Sequence, residues 1–99
     1  MYRDDPLDDE LELRALVGDE AVDRLATADV TDTAAERTPV EAAVDVLRVL
    51  QGWVSDEAAA RWFVTAQRRL DGTTPVDALT AGAFEDVEEA ARVWAAAQG

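Results

Sequence analysis

Thr38-Pro39-Val40-Glu41-Ala42-Ala43-Val44-Asp45-Val46-Leu47-Arg48-Val49-Leu50-Gln51-Gly52-Trp53 is the stretch that decides the fold. Its first four residues spell a helix start. The Thr38 hydroxyl can accept from the backbone N–H of Glu41, and the Glu41 carboxylate can reach back to complete a capping box. Pro39 takes the first helical position, where a missing N–H costs nothing. Beyond the cap, Val40, Val44, Leu47 and Val54 line one face, while Val46, Val49, Leu50 and Trp53 line an adjoining one. A surface helix shows one apolar stripe, so an apolar sector this wide describes a helix surrounded by others. The expectation is a central, buried helix over residues 39–53. Glu41, Asp45 and Arg48 fall on its remaining outer side, at a spacing that allows an acid-to-Arg pair.

The chain after this helix repeats the same grammar of caps and stops. Gly52 loosens the helix end, and Ser55-Asp56-Glu57 is a capped, acidic start for another helix. That helix is expected to run to Gln67 or Arg69, with Ala59, Trp62, Phe63, Ala66 and Leu70 as its apolar stripe. Leu70-Asp71-Gly72 reads as a turn. Thr74-Pro75-Val76-Asp77 is a second cap, with Asp at the third helical position, and predicts a short helix through Ala81 that Gly82 ends. Phe84, Val87, Ala91 and Trp94 then mark the buried side of a terminal helix whose first turns hold Glu85, Asp86, Glu88 and Glu89.

Upstream, residues 1–10 are acidic and contain Pro6, the pattern of a solvated arm or a helix cap. Leu13, Leu16 and Val17, with Leu11 nearby, predict a first helix of two turns over residues 9–17, stopped by Gly18. Asp19 is the expected cap of a second helix over residues 20–28, with Val22, Leu25 and Ala26 on one side. Thr31 can cap a brief helical turn through Glu36, a layout similar to a helix-turn-helix. The whole pattern predicts an all-α fold, a small bundle of five to seven helices around the 39–53 helix. Two regions follow from it: an acidic N-terminal region, residues 1–37, and a helical domain, residues 38–99.

Composition narrows the function. A chain of 99 residues holds a single core. Its net charge is -13, and all nine basic residues are Arg, with no Lys, a balance shared by halophilic proteins and by proteins encoded at high GC content. Residues 1–37 hold twelve acids against four Arg. A DNA-reading helix needs cations facing phosphates, so DNA binding is disfavoured by charge in the very region that has the layout for it. Cys and His are absent, which removes thiol chemistry, thiolate zinc sites and imidazole bases together. The acid pairs Asp4-Asp5, Asp8-Asp9, Glu85-Asp86 and Glu88-Glu89 are neighbours that point apart on a helix, and no calcium loop motif is present. The expectation is no enzyme, no metal site and no cofactor. No apolar run approaches the roughly 18 residues of a membrane span, and the N-terminus is too acidic for a signal peptide. The default location is the cytoplasm.

Recognition of a partner protein remains. The order Trp62, Leu70-Asp71-Gly72, Thr74-Pro75-Val76-Asp77-Ala78-Leu79, Gly82 and Val87 resembles the toxin-binding domain of antitoxins in the Xre/MbcA/ParS group. The resemblance covers residues 38–98. Arg61-Trp62 matches the family's Arg/Trp helix position, and Leu70-Asp71-Gly72-Thr73-Thr74-Pro75 matches its Leu-Gly-Gly-Arg-Thr-Pro. This chain departs from the family at Ala66-Gln67, where Pro-Asn is usual, at Asp71 for Gly and at Thr73 for Arg. The resemblance implies a small helical domain that binds a RES-domain toxin, an NAD-degrading or ADP-ribosylating enzyme, and blocks its active site. The partner-binding residues it implies, together with the neighbouring Arg68 and Arg69, are Arg61, Trp62, Leu70, Thr74 and Pro75. Trp94 and Gln98 join them because the family's C-terminal segment approaches the toxin's active site. Trp62 also reads as a core aromatic, and Arg61, Arg68, Arg69 and Arg92 as partners for neighbouring acids. Two other readings stay open: a transcriptional regulator of the Xre type, and a halophile helical adaptor or homo-oligomer unrelated to toxins.

Overall fold

The computed structural model describes residues 6–28 and 37–98, with residues 6–8 described by their backbone alone. The expected helical turn from Thr31 to Glu36, and with it the helix-turn-helix layout, lies outside the described residues. The remainder is all-α: α1 (Pro6–Val17), α2 (Asp19–Thr27), α3 (Pro39–Gln51), α4 (Asp56–Phe63), α5 (Pro75–Thr80) and α6 (Phe84–Gln98), with a 3-10 turn at Arg68–Leu70 between α4 and α5. Among the described residues no helix is long and apolar enough to cross a membrane.

The central helix forms for the reason its sequence states. Thr38 is extended, its hydroxyl accepts from the Glu41 N–H at 3.2 Å, and the Thr38 N–H donates to the Glu41 carboxylate at 2.9 Å. Three of the four orphan N–H groups that every helix start carries matter here, and the box plus Pro39 deals with its share of them without help from the rest of the fold. Thr38→Ala is expected to cost about 1 kcal/mol. In thermal unfolding followed by circular dichroism, that is a fall in Tm of roughly 4–8 °C.

α3 packs against every other helix. Its fully buried positions are Ala42, Ala43, Val46, Leu47 and Leu50, while Val40, Val44 and Val49 are half-buried. The two alanines let neighbouring helices approach closely, and the larger side chains fill the space between them. Leu13 of α1, together with Val22 and Leu25 of α2, belongs to the same core as Phe63, Leu79, Phe84 and Val87, so residues from the acidic N-terminal region share one interior with the rest.

Several expectations are corrected at helix ends. α1 begins at Pro6, three residues earlier than expected, and Leu11 on it is exposed. The N-cap of α2 is Gly18, at φ 98°, with no side-chain cap bond; Asp19 is the first helical residue, placed where the dipole favours an acid. Ala26 is exposed instead of facing the core. α3 ends at Gln51, so Trp53 leaves the helical track and is 56% exposed. α4 stops at Phe63, short of the expected Gln67 or Arg69, and Ala66 is exposed. The cause is Gln67, whose extended backbone donates to the Thr73 carbonyl at 3.0 Å and accepts from Gly72 at 2.9 Å. Its side chain donates to the Trp62 carbonyl at 3.3 Å, and the Thr65 hydroxyl donates to the Arg61 carbonyl at 2.6 Å, so carbonyls at the end of α4 are taken by side chains.

The arginines hold helices together. Arg14 of α1 bonds Glu10 on its own helix and reaches Asp19 and Asp23 of α2. Arg24 of α2 pairs with Asp77 of α5. Arg37, just before α3, donates to Asp45 at 2.9 Å and to Glu88 of α6 at 3.0 and 3.3 Å, with its guanidinium 5.7 Å from the centre of the Phe84 ring. Arg48 contacts Asp9 at 2.5 Å and Glu12 at 3.1 Å, both on α1. The expected pairing of Glu41, Asp45 and Arg48 along α3 is therefore replaced by bridges to other elements. The bond to Asp23 leads in raising the Arg14 pKa further above its ordinary value. At Arg48 burial works against the charge, and the bonds to Asp9 and Glu12 overcome it, again raising the pKa. In so acidic a chain, each such Arg removes repulsion between two helices that both carry carboxylates.

Candidate partner-docking surface

The residues singled out by sequence divide into three groups. Leu70, Thr74 and Pro75 are parts of the scaffold. Leu70 is buried, Pro75 is buried at the first position of α5, and the Thr74 hydroxyl accepts from the Asp77 N–H at 3.1 Å to cap that helix. Between them, Asp71 takes a left-handed conformation at φ 57°, which Asp tolerates better than most residues, and Gly72 follows at φ 84°. The Leu-Asp-Gly turn and its Thr-Pro restart thus set the angle between α4 and α5.

Trp62 and Trp94 form the second group. Trp62 is 2% exposed and meets Phe63 edge-on, with ring centres 5.6 Å apart. Trp94 of α6 lies against Trp62 at 6.0 Å with the rings tilted by 33°, and it is only half-buried. The pair joins α4 to α6, and aromatic contacts of this kind contribute about 0.5–1.5 kcal/mol beyond the area they bury. The indole N–H of Trp62 is buried without an acceptor among the described residues. Val64, two residues after Trp62, is 53% exposed, and Val93, next to Trp94, is 40% exposed. Gln98 is exposed at the last turn of α6.

The third group is the arginines. Arg61 is exposed and pairs with Glu57 one turn earlier at 3.3 Å, a contact of little energetic weight at such exposure. Arg68 and Arg69 on the 3-10 turn and Arg92 on α6 are exposed, and their guanidinium groups make no ion pair among the described residues. The 3-10 turn packs directly on α6. Unpaired cations are unexpected where acids outnumber Arg by 22 to 9, and they occur on two elements that touch.

A feature that sequence reasoning missed lies beside them. A groove of about 260 Å³ opens between the 3-10 turn, α5 and the start of α6, with Arg69, Asp71, Asp77 and Asp86 among its lining residues. The turn motif was visible in the sequence, but the approach of Asp86 to it depends on how α6 packs. Among the described residues no three acids are grouped in a way that could hold a metal ion. The chain matches no protein-family model, and comparisons with curated proteins and with solved structures yield no match.

Proposed function

We propose that the chain is an antitoxin-like docking domain that neutralises a RES-domain toxin by binding it directly and occluding its active site. The observation that carries this reading is the Trp62–Trp94 pair: a buried ring supports a half-buried one on the terminal helix, one turn ahead of exposed Gln98. A surface aromatic side chain held against a buried ring is the kind of residue that dominates interface energies. It sits on the C-terminal segment, which in the resembling antitoxins approaches the toxin's active site. The unpaired Arg68, Arg69 and Arg92 supply the other residue type enriched at such anchors. Occlusion needs shape and affinity and no catalytic group in the inhibitor.

Charge favours a different protein over a second copy of this one. Each copy carries -13, so self-association brings like charges together, whereas a basic partner surface is attracted over a Debye length of about 8–10 Å at moderate salt. Co-expression tests the proposal: production of this chain is expected to restore growth to cells expressing a RES-domain toxin. Growth arrest that persists with both proteins present and folded would count against it.

A further inference from the structure

We propose that α1 is a strap that salt closes: at low ionic strength it lifts from α3 and α4 while the rest of the bundle stays folded, and at high ionic strength a clasp centred on Arg48 holds it down. The device is separate from the antitoxin role and works whether or not a toxin is the partner. α1 is fastened differently from the other long helices. Of its described side chains only Leu13 is fully buried; Leu16 and Val17 are half-buried, and Leu11 is 62% exposed. α3, by contrast, sinks Ala42, Ala43, Val46, Leu47 and Leu50 completely. What else fastens α1 to α3 is polar. Arg48 contacts Asp9 at 2.5 Å and Glu12 at 3.1 Å, and Gln51, which accepts from Arg48 at 2.6 Å, donates to the Glu12 carboxylate at 2.6 Å. α1 joins the other described helices only through Gly18, which sits at φ 98° and gives the start of α2 no side-chain cap. An element with few buried apolar contacts and one covalent junction is the kind that opens without global unfolding.

Two opposing charge effects act on α1, and they differ in range. α1 carries four acids and one Arg, and it lies on a body that is itself strongly acidic in a chain of net charge -13. Their repulsion adds over carboxylates spread through a molecule whose Cα atoms extend over 32 × 31 × 26 Å. At 10 mM salt the Debye length is about 30 Å, so most of that repulsion reaches α1; at 1 M it is about 3 Å, and little does. The clasp is made of contacts at 2.5–3.1 Å, no longer than that shortest screening length. Its charged members are also partly sheltered: Arg48, Asp9 and Glu12 keep 43%, 35% and 38% of their side-chain surface in solvent. Added salt therefore removes what lifts α1 before it removes what holds it.

The test uses the full chain and needs no toxin. Native-state amide hydrogen exchange is followed by NMR in roughly 10 mM and 1 M NaCl, with protection corrected for the effect of salt on intrinsic exchange. At the lower salt, α1 amides are expected to be at least about tenfold less protected than those of Val46–Leu50, and their protection should rise about tenfold or more at the higher salt. Val87→Ala empties a fully buried position on α6; it should lower protection in α3 by about tenfold and leave α1 unchanged at low salt, because α1 opens without unfolding α6. Arg48→Gln should lower α1 protection by about fivefold at 1 M, where general repulsion is screened and the clasp remains. If that variant does not fold, Asp9→Asn with Glu12→Gln makes the same comparison. Loss of protection by α1 and α3 together at low salt, α1 protection that falls as salt rises, equal effects of Val87→Ala on both helices, or unchanged α1 protection in a folded clasp variant would each overturn the proposal.

Discussion

Leu47→Ala is expected to lower stability by about 2–5 kcal/mol, a large share of what a domain of this size holds. Leu47 is fully buried on the one helix that touches all the others, so the cavity it leaves is walled by several elements and none can close it alone. Small domains hold only about 5–15 kcal/mol in total. The variant therefore unfolds at much lower denaturant concentration, and a fraction of it is unfolded before any denaturant is added. Val64→Ala serves as the contrast: at 53% exposed, its loss should change stability by no more than about 0.5 kcal/mol. Urea unfolding of both variants with unchanged slope would establish that the difference is one of stability. Equal midpoints would contradict the placement of α3 at the centre.

Under the proposed function, Trp94→Ala is expected to weaken binding of a RES-domain toxin by about 2 kcal/mol or more, roughly 30-fold in Kd. Because Trp94 is half-buried against Trp62, the truncation also costs some stability, so helicity and Tm must be measured beside affinity. Trp94→Phe separates the two effects. It keeps an aromatic surface on Trp62 and should leave the fold intact while retaining part of the affinity. If the Ala variant is folded and binds as tightly as the wild type, the Trp pair is a packing feature and the docking face lies elsewhere.

What could be read from the sequence was what is local. Thr38, Ser55 and Thr74 each cap a helix because the accepting hydroxyl and the donating amide are three residues apart, a distance that no tertiary contact needs to arrange. The core followed from the same periodicity, with Leu47, Leu50, Trp62, Phe63 and Val87 all buried as their spacing requires. Periodicity failed where it ran past a helix end. Trp53 continues the stripe on paper, but the helix stops at Gln51 and carries it outward; Ala66 fits the next stripe, but Gln67 is held extended by Gly72 and Thr73.

The candidate surface was legible only in part, for the same reason. Trp62 and Trp94 were each visible as members of a stripe, and their meeting depends on the packing of α4 near α6. Arg48 offered a partner three positions away on its own helix and instead bonds Asp9, 39 positions away. Which arginines remain unpaired is decided only after such bridges form, so Arg68, Arg69 and Arg92 could not be distinguished from the others in advance. Asp86 likewise joins Asp71 at the groove through tertiary packing.

The most direct test of the proposed function is NAD consumption by a purified RES-domain toxin, with this chain added in increasing amounts. Occlusion predicts that activity falls in proportion to complex formed and is abolished at saturation, with Kd below about 1 µM. Undiminished NAD consumption with the folded chain in excess at about 100 µM, a hundred times that Kd, would contradict it.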